Sequence, residues 1–199
     1  MSEHMALENL TVLDLTRVLA GPFCTMMLAD MGANVIKIEV PKGGDDTRSY
    51  PPFRAENLNG ERESVYFANI NRNKKGITLN LKAPEGKEIF KELVKKADIV
   101  VENYRPGVMD KLGLGYDVLK EINPRIIYAA VSGFGCYGPY HLRPGYDILA
   151  QAMGGMMSIT GSKGGEPTRA GSALGDILGG LHVTIGILAA VNARTITGK

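Results

Sequence analysis

Little in this sequence marks a secreted, membrane-spanning or nucleic-acid-binding protein. Only two of the 199 residues are cysteine, Cys24 and Cys136, and they lie far apart without the spacing of metal ligands. A net charge of +2 gives no electrostatic reason to expect a nucleic acid or a membrane surface as a partner. The first residues lack the basic and apolar regions of a signal peptide, and no apolar run reaches membrane-spanning length. We therefore expect a cytoplasmic protein in a reducing setting, with no metal site.

What the chain does contain is the composition of an ordinary globular domain. Hydrophobic residues make up 44% of the chain and charged residues 22%, proportions that favour a packed core over disorder. The length fits one domain with a sizeable core. We expect residues 1–6 to be an added or disordered start, and residues 7–199 to form the domain.

The order of predicted elements favours an α/β fold. Thr11–Thr16 is a short run rich in strand-forming residues, a glycine turn and a helix over Pro22–Asp30 follow it, and Asn34–Val40 is a second strand. Further strands are predicted at Ile77–Leu81, Ile99–Val101 and Arg125–Val131. Further helices are predicted from Ala83 to Lys96, over 107–112, 116–121 and 146–153, and from Leu178 to Arg194. This alternation predicts a largely parallel sheet flanked by helices, with ligands at the carboxyl ends of the strands.

Three features qualify this pattern. The polar stretch Lys42–Asn73 is long for a plain connection, which indicates a functional loop. The first strand–helix turn lacks the GxGxxG glycine pattern, so a dinucleotide-binding enzyme is disfavoured. The last residues, TITGK, read as a turn with no element after it, which favours a piece of a longer protein.

Several long segments carry a more specific signal. They are TVLDLTRVLAGPFCTMMLADMGANVIKIE, NRNKKGITLNLKAPEGKE, ADIVVENYRPGVMDKLGLGY, NPRIIYAAVSGFG and PGYDILAQAMGGMMSITG. Together and in this order they resemble the family III CoA-transferases, the group of formyl-CoA and carnitine-CoA transferases. The resemblance runs from Leu7 to the last residue, and family members are roughly twice as long. It implies the amino-terminal, Rossmann-like CoA-binding part of an interlocked homodimer, with CoA or acyl-CoA as substrate and no permanently bound cofactor.

The resemblance also gives a role to Asp176, which lies among small residues in GSALGDILGG. The residues alone leave two readings open, a nucleophile and a helix N-cap, and they favour the cap, a role that aspartate fills well. The family's nucleophilic aspartate aligns with Asp176, where Gly175, Gly179 and Gly180 are expected to keep the approach clear. The resemblance implies that its carboxylate attacks an acyl-CoA thioester and later carries CoA as a thioester. A free carboxylic acid is the implied acceptor.

Residues that the resemblance places along CoA follow the predicted strands. Lys111 stands where relatives often have arginine, and it keeps the charge for a phosphate without the bidentate geometry. Val40 replaces a basic residue of some members, which removes one phosphate contact. The run from Asn71 to Lys75 is interpreted as a solvated face. The full set of CoA-contact predictions is Leu19, Ala20, Leu79, Asn80, Leu81, Lys82, Asn103, Tyr104, Arg105, Lys111, Tyr146 and Asp147.

Two other functions compete with CoA transfer. The related α-methylacyl-CoA racemases pair an aspartate with a histidine in an AGHD-like motif, and here the matching stretch is Pro144–Asp147, with Tyr146 in place of the histidine. A phenol, with its usual pKa near 10, is a poor general base at neutral pH, which disfavours a racemase. The second alternative is a non-catalytic CoA-binding fragment, because the family's second half contributes a glycine-rich loop to the active site.

Overall fold

The computed structural model describes residues 4–54, 60 and 62–198, and a five-stranded sheet lies at its centre. The strands are β1 (Thr11–Asp14), β2 (Asn34–Glu39), β3 (Lys75–Thr78), β4 (Ile99–Glu102) and β5 (Ile127–Ala130). Their order across the sheet is β3-β2-β1-β4-β5, and each of the four pairings is parallel. The chain first builds the sheet outward from β1 to β3 and then crosses back to place β4 on the other side of β1. The predicted Rossmann-like α/β architecture is confirmed, with its switch point between β1 and β4.

Helices cover both faces of this sheet. They are α1 (Ala20–Asp30), α2 (Val65–Ile70), α3 (Pro84–Val94), α4 (Val108–Leu112), α5 (Tyr116–Ile122), α6 (Asp147–Met153) and α7 (Leu174–Thr197). Alternate residues of a strand point to opposite faces, so Leu13 packs towards α3 and α5 while Val12 packs towards α1 and α7. Phe90 of α3 and Leu28 of α1 are both fully buried and anchor these two layers. The strands are therefore apolar on both sides, as a parallel sheet between two helical layers requires.

Helix α7 is longer than the sequence indicated. It begins at Leu174 rather than Leu178 and continues through Thr197, so the TIT of the expected terminal turn is helical and Gly198 forms a left-handed cap. By length and composition alone it could cross a membrane, which corrects the expectation that no apolar run is long enough. Only 17% of its most apolar stretch is buried in the described residues, although one face packs closely against α1.

Two further boundaries differ from the predictions. Strand β3 ends at Thr78, and Leu79–Lys82 form the loop that precedes α3, because Asn80 turns the chain by accepting hydrogen bonds from Lys82 N and Ala83 N. Helix α2 lies inside the stretch 42–73 that was predicted to be a loop, part of which falls outside the described residues. The hydroxyl of Ser64 caps it by accepting from Phe67 N, a local signal that the sequence analysis overlooked.

Candidate active site at the carboxyl ends of the strands

The loops that follow β1 and β4 meet at the switch point of the sheet. The backbone N–H of Arg17 donates to Asn103 Oδ1 at 2.9 Å, and Asn103 Nδ2 donates to the carbonyl of Arg17 at 2.7 Å. This reciprocal pair ties the first strand–helix turn to the loop after β4. Doubly wound sheets bind ligands in a crevice at this point, and the pair brings the predicted CoA-contact residues Leu19 and Ala20 to the same end of the sheet as Asn103–Arg105.

A buried ion pair lies directly beneath this crevice. Asp14, the last residue of β1, is fully buried, and one of its carboxylate oxygens lies 3.0 Å from Nζ of Lys74. The same carboxylate accepts hydrogen bonds from Thr16 and from the Thr25 hydroxyl. Burial alone would raise the pKa of Asp14, but the charges of Lys74 and Lys37 and these hydrogen bonds outweigh it, so the pKa is lowered.

The turn after β1 is held by a second buried pair. Lys37 Nζ donates to Asp45 Oδ2 at 2.9 Å and to the carbonyl of Thr16 at 2.8 Å. Asp45 in turn accepts from the backbone N–H of Val18 at 3.2 Å. Val18 has φ of 67°, a left-handed conformation that is unusual for a β-branched residue and therefore costs free energy. The Lys37–Asp45 pair thus fixes a strained backbone at the rim of the crevice.

The segment that supplies Asp45 is itself tied to the end of β2. Arg48 forms two hydrogen bonds to the carboxylate of Glu39, at 2.8 and 2.6 Å, and its guanidinium stacks over the ring of Phe67 in α2. Burial alone would raise the pKa of Glu39. The hydrogen bonds from Arg48 and from Asp45 N lower this pKa by a larger amount, so the net shift is downward. The first part of the loop after β2, up to Arg48, is therefore anchored to the end of that strand.

Asp176 lies in the first turn of α7, as the third residue of the helix. It is half-buried, and within the described residues its carboxylate makes no hydrogen bond or ion pair. Burial raises its pKa, and the nearby charge of Asp147 raises it further. Asp176 also lies near Tyr66 of α2. The pKa of Tyr66 is raised by burial and then by the charge of Asp176. An uncompensated carboxylate thus faces α2 and α6.

Asp147, rather than Asp176, makes the capping contact at the start of α7. Its Oδ1 accepts from the backbone N–H of Gly175 at 2.7 Å, and its Oδ2 accepts from Gln151 Nε2 at 2.8 Å. Gln151 is buried and also accepts from Ala170 N, so it fixes the segment leading into the helix. Asp147 therefore accepts a hydrogen bond from a free N–H group in the first turn of α7, and the carboxylate of Asp176 does not act as the helix cap.

The three glycines around Asp176 have different roles, which corrects the expectation that all of them keep the approach clear. A Cβ on Gly180 would lie 2.4 Å from the carbonyl oxygen of Ala20, so glycine there permits α7 to cross α1 closely. A Cβ on Gly175 would lie 2.9 Å from Cβ of Ala150 in α6. Of the three, Gly179 faces open space, since no atom of the described residues lies within 4 Å of such a Cβ. Access beside Asp176 therefore depends on Gly179.

The remaining predicted contact residues are spread around the crevice and beyond it. Lys82 and Lys111 are exposed, whereas Leu81 is 9% exposed and belongs to the core beneath α3. Tyr104 packs partly into that core, and burial raises its pKa. Tyr146 is 76% exposed at the start of α6. The order of the strands places the loop after β3 two strands away from β1, so Leu79–Lys82 lie apart from the switch point.

The buried charges were not predicted from the sequence. Lys74 belongs to the run that was interpreted as a solvated face, yet its side chain is 1% exposed, because it donates to Asn71 and to the carbonyl of Pro22 as well as pairing with Asp14. Lys37 stands inside the apolar strand NVIKIE, and that position was the only local signal of a buried charge. Its partner Asp45 lies in the next loop, where the sequence gives no reason to expect burial.

Comparison with known proteins agrees with this geometry. The model of the family described as CoA-transferase family III matches residues 7–199. This chain belongs to that family. It is 50% identical over 193 residues to an acetyl-CoA:oxalate CoA-transferase of Acetobacter aceti, covering 96% of this chain and 48% of the relative. It is 48% identical over 200 residues to the human succinyl-CoA:glutarate CoA-transferase, covering all of this chain and 44% of the relative.

A solved structure gives the same result for the fold. A CAIB/BAIF family protein from Brucella suis superimposes with a TM-score of 0.94 at 45% identity, over 99% of this chain and 52% of that one. The chain therefore spans about half the length of the relatives that it matches. At this similarity the packing of strands and helices is shared in detail.

Proposed function

We propose that the protein to which this chain belongs transfers coenzyme A from an acyl-CoA to a free carboxylic acid, with Asp176 as the nucleophile. The single observation that carries the proposal is a half-buried carboxylate with no hydrogen-bond partner among the described residues, placed beside open space at Gly179. The fully buried carboxylates of Asp14 and Asp45, by contrast, are each paired with a lysine. Family membership supports the reaction class.

The proposed reaction begins with attack of an Asp176 carboxylate oxygen on the thioester carbonyl carbon. The carbon–sulfur bond breaks, CoA leaves as the thiolate, and a mixed anhydride joins the acyl group to Asp176. The thiolate then attacks the aspartyl carbonyl of the anhydride, which releases the donor acid and leaves an aspartyl-CoA thioester. The acceptor carboxylate then attacks the aspartyl-CoA thioester, and CoA leaves again as the thiolate. The thiolate attacks the acceptor's carbonyl in the new anhydride, which releases the new acyl-CoA and restores the Asp176 carboxylate. The overall exchange is nearly balanced in energy, because one thioester and one carboxylate replace another thioester and another carboxylate, whereas the anhydrides are more reactive intermediates between them.

The surroundings of Asp176 suit this chemistry. Partial burial and the charge of Asp147 raise its pKa, and a more basic carboxylate is a stronger nucleophile in its ionised form. The N-terminus of α7 is the positive end of the helix dipole. It therefore stabilises negative charge on the thiolate and on oxyanions that develop near it. Asp147 holds the Gly175 N–H, so the first turn of α7 keeps Asp176 in a fixed position.

The proposed CoA site is the crevice between the loops after β1 and β4. The Arg17–Asn103 hydrogen bonds define its floor, and Arg105 and Lys111 offer exposed positive charge for the phosphates. The names of the relatives pair CoA donors with oxalate and glutarate, which are both dicarboxylic acids. We extend the proposal to a dicarboxylate as the acceptor. A dimer and a cytoplasmic location remain part of the proposal for the full-length protein.

The experiment is mass analysis of the full-length protein after incubation with acetyl-CoA and with succinyl-CoA. We expect an adduct that maps to the peptide containing Asp176, is released by hydroxylamine, and is absent from Asp176→Ala. Asp117→Ala is the matched control, because Asp117 is an exposed carboxylate on α5 with a side chain 88% accessible. An adduct on another residue, or an adduct that persists in Asp176→Ala, would disprove the assignment.

No observation favours the racemase alternative. Tyr146 replaces the histidine of the racemase motif and is largely exposed, while Asp147 is engaged with Gly175 and Gln151 rather than directed at a substrate. The same incubations test this alternative directly. A racemase would exchange the proton α to the thioester into deuterated water without forming a covalent adduct, whereas the proposed transferase forms the adduct.

A further inference from the structure

Asn103 holds the turn between β1 and α1 from the side of β4. Its side chain binds both backbone groups of Arg17, since Oδ1 accepts from the N–H at 2.9 Å and Nδ2 donates to the carbonyl at 2.7 Å. These two groups belong to successive peptide units, the one that joins Thr16 to Arg17 and the one that joins Arg17 to Val18. Each unit therefore keeps one backbone group for a partner on its other side.

The Lys37–Asp45 pair binds these two remaining groups. Nζ of Lys37 donates to the carbonyl of Thr16 at 2.8 Å, and Oδ1 of Asp45 accepts from the N–H of Val18 at 3.2 Å. The pair joins the two contacts, because Lys37 Nζ also donates to Asp45 Oδ2 at 2.9 Å. Both peptide units are thus bound at their N–H and at their carbonyl, and neither can rotate without breaking a hydrogen bond to a buried charged group.

The unusual conformation of Val18 follows from this arrangement. The peptide unit before Val18 is fixed by the two clamps, and the backbone after it is fixed by α1, where Phe23 N donates to the carbonyl of Leu19 at 2.8 Å. Val18 has to connect the two, and it does so with φ of 67°. Crowding at Cβ makes this conformation about 5- to 30-fold less populated than a right-handed one for an L residue. Without the pair, rotation of the Arg17–Val18 peptide unit would relieve the strain.

The pair is well suited to holding a backbone and poorly suited to stabilising a core. The side chains of Lys37 and Asp45 are only 2% and 1% exposed, so both charges have lost their hydration. Apolar residues of similar volume are often at least as stabilising as such a buried ion pair. What two apolar side chains could not supply is a donor for one peptide unit of the turn and an acceptor for the next. The advantage of the pair therefore lies in the geometry of the turn.

We propose that Lys37 and Asp45 are positioning residues for acyl-CoA, which hold Val18 in its left-handed conformation before the ligand arrives and so keep Leu19 and Ala20 in place to contact CoA. The inference rests on the proposed function, in which CoA lies against this turn. Without the pair, only a fraction of the molecules would have the correct turn, and the Kd for CoA would rise by the inverse of that fraction. The nucleophile lies on α7, outside the clamp, so the rate of the saturated enzyme should change little.

The first test removes the pair without leaving a buried charge. The full-length protein with both Lys37→Met and Asp45→Ala is titrated with CoA in a calorimeter and assayed with succinyl-CoA and glutarate. We expect the Kd for CoA to rise at least about tenfold, and kcat to stay within about threefold of wild type. The matched control removes an exposed ion pair of α5, through Asp117→Ala with Lys120→Met, and should change neither quantity. Urea unfolding shows whether each variant is folded under the assay conditions.

Glycine at position 18 distinguishes positioning from general damage to the fold. Glycine adopts positive φ about as readily as negative φ, so a turn with Val18→Gly should depend much less on the pair. We expect removal of the pair to raise the Kd at least about tenfold when residue 18 is valine, and no more than about threefold when it is glycine. An equal rise in both backgrounds, an unchanged Kd in the folded pair variant, or a fall in kcat without a rise in Kd would overturn the proposal.

Amide hydrogen exchange on the unsubstituted full-length protein tests the same point without any variant. In the absence of CoA, the Val18 amide is expected to exchange at least about 100-fold more slowly than an unstructured amide. Leu28, which is fully buried in α1, gives the rate of a protected amide. Fast exchange at Val18 that slows only when CoA binds would contradict the proposal, because CoA rather than the pair would then order the turn.

The behaviour of the wild-type protein separates this inference from the proposed function. If the wild type binds no CoA in the calorimeter, the proposed function and the inference fail together. If the wild type binds CoA and any of the contrary results at Lys37, Asp45 or Val18 is obtained, the positioning role alone is rejected, and the proposed reaction at Asp176 is unaffected.

Discussion

Asp14 and Asp176 are both aspartates in the part of the molecule where the strands end, but their surroundings shift their pKa values in opposite directions. Asp14 is fully buried and receives a lysine and two threonine side chains, so its pKa is lowered. Asp176 is half-buried and, among the described residues, receives no hydrogen bond, so burial and the charge of Asp147 raise its pKa. Burial acts in the same direction on both carboxylates, and the presence or absence of a compensating cation decides the sign.

The difference separates a structural from a reactive acid. Removing Asp14 would leave a buried cation at Lys74, whereas removing Asp176 would leave no charge unpaired. A buried and paired carboxylate is a poor nucleophile, because its oxygens are occupied by donors. We therefore expect substitution of Asp176 to lower activity and substitution of Asp14 to lower stability, and mutagenesis can test the two effects separately.

The largest expected effect is on catalysis, at Asp176. The substitution Asp176→Asn is expected to lower kcat by at least about 10⁴-fold, because loss of a covalent nucleophile removes the pathway itself. Its stability should be unchanged at low pH. The folded protein binds the carboxyl proton more tightly than the unfolded chain does, so wild-type stability falls as pH rises through the carboxyl range, and the asparagine variant is expected to lack this fall.

Steady-state assays of the full-length protein and urea unfolding at several pH values check this prediction. Asp117→Asn serves as the control, since Asp117 is an exposed carboxylate of α5. Retention of more than about a tenth of wild-type activity in Asp176→Asn would contradict the nucleophile assignment.

The second prediction concerns stability, at Asp14. The substitution Asp14→Ala is expected to destabilise the protein by about 3–5 kcal/mol, because it leaves Lys74 as an uncompensated buried charge. The double variant Asp14→Ala with Lys74→Met should recover part of this loss. Since the pKa of Asp14 is lowered by folding, its contribution is present above the usual carboxyl range and is lost as pH falls through its lower folded pKa.

Urea unfolding curves measured near pH 7 and in acid test both statements. A cost below about 1 kcal/mol for Asp14→Ala would show that Lys74 finds another partner or water, and would remove the contrast with Asp176.

The fold could be predicted largely from the sequence because its signals are local. Short β-branched runs such as Thr11–Asp14 and Ile99–Glu102 mark buried strands, and glycine turns separate them from helices. The start of α7 was predicted four residues too late, because Asp176 was interpreted as lying before the helix. In the structure Gly175 and Gly180 are helical glycines at close contacts with other helices, a constraint that only the tertiary packing shows.

The site could be predicted only in part. Asp176 was identified as a nucleophile through resemblance, since its own neighbourhood in the sequence favours a helix cap. The network of Lys37, Lys74, Asp14 and Asp45 was missed because each partner is ordinary in isolation, and the pairs form between segments 8 to 60 residues apart in the chain. The burial of a charge depends on what surrounds it in three dimensions, and here only the position of Lys37 inside an apolar strand gave a local indication of it.

The smallest expected effect is at Asp147, and it tests the cause of the raised pKa directly. The substitution Asp147→Asn keeps an oxygen that can accept from Gly175 N–H, so the first turn of α7 should keep its geometry. It removes the charge that acts on Asp176, so the pKa of Asp176 should fall and the acid limb of the kcat/KM profile should move to lower pH. Activity at pH 7 should stay within about tenfold of wild type. An acid limb that does not move would mean that burial alone raises the pKa of Asp176, and Asp147→Ala, which also loses the cap, would then separate charge from position.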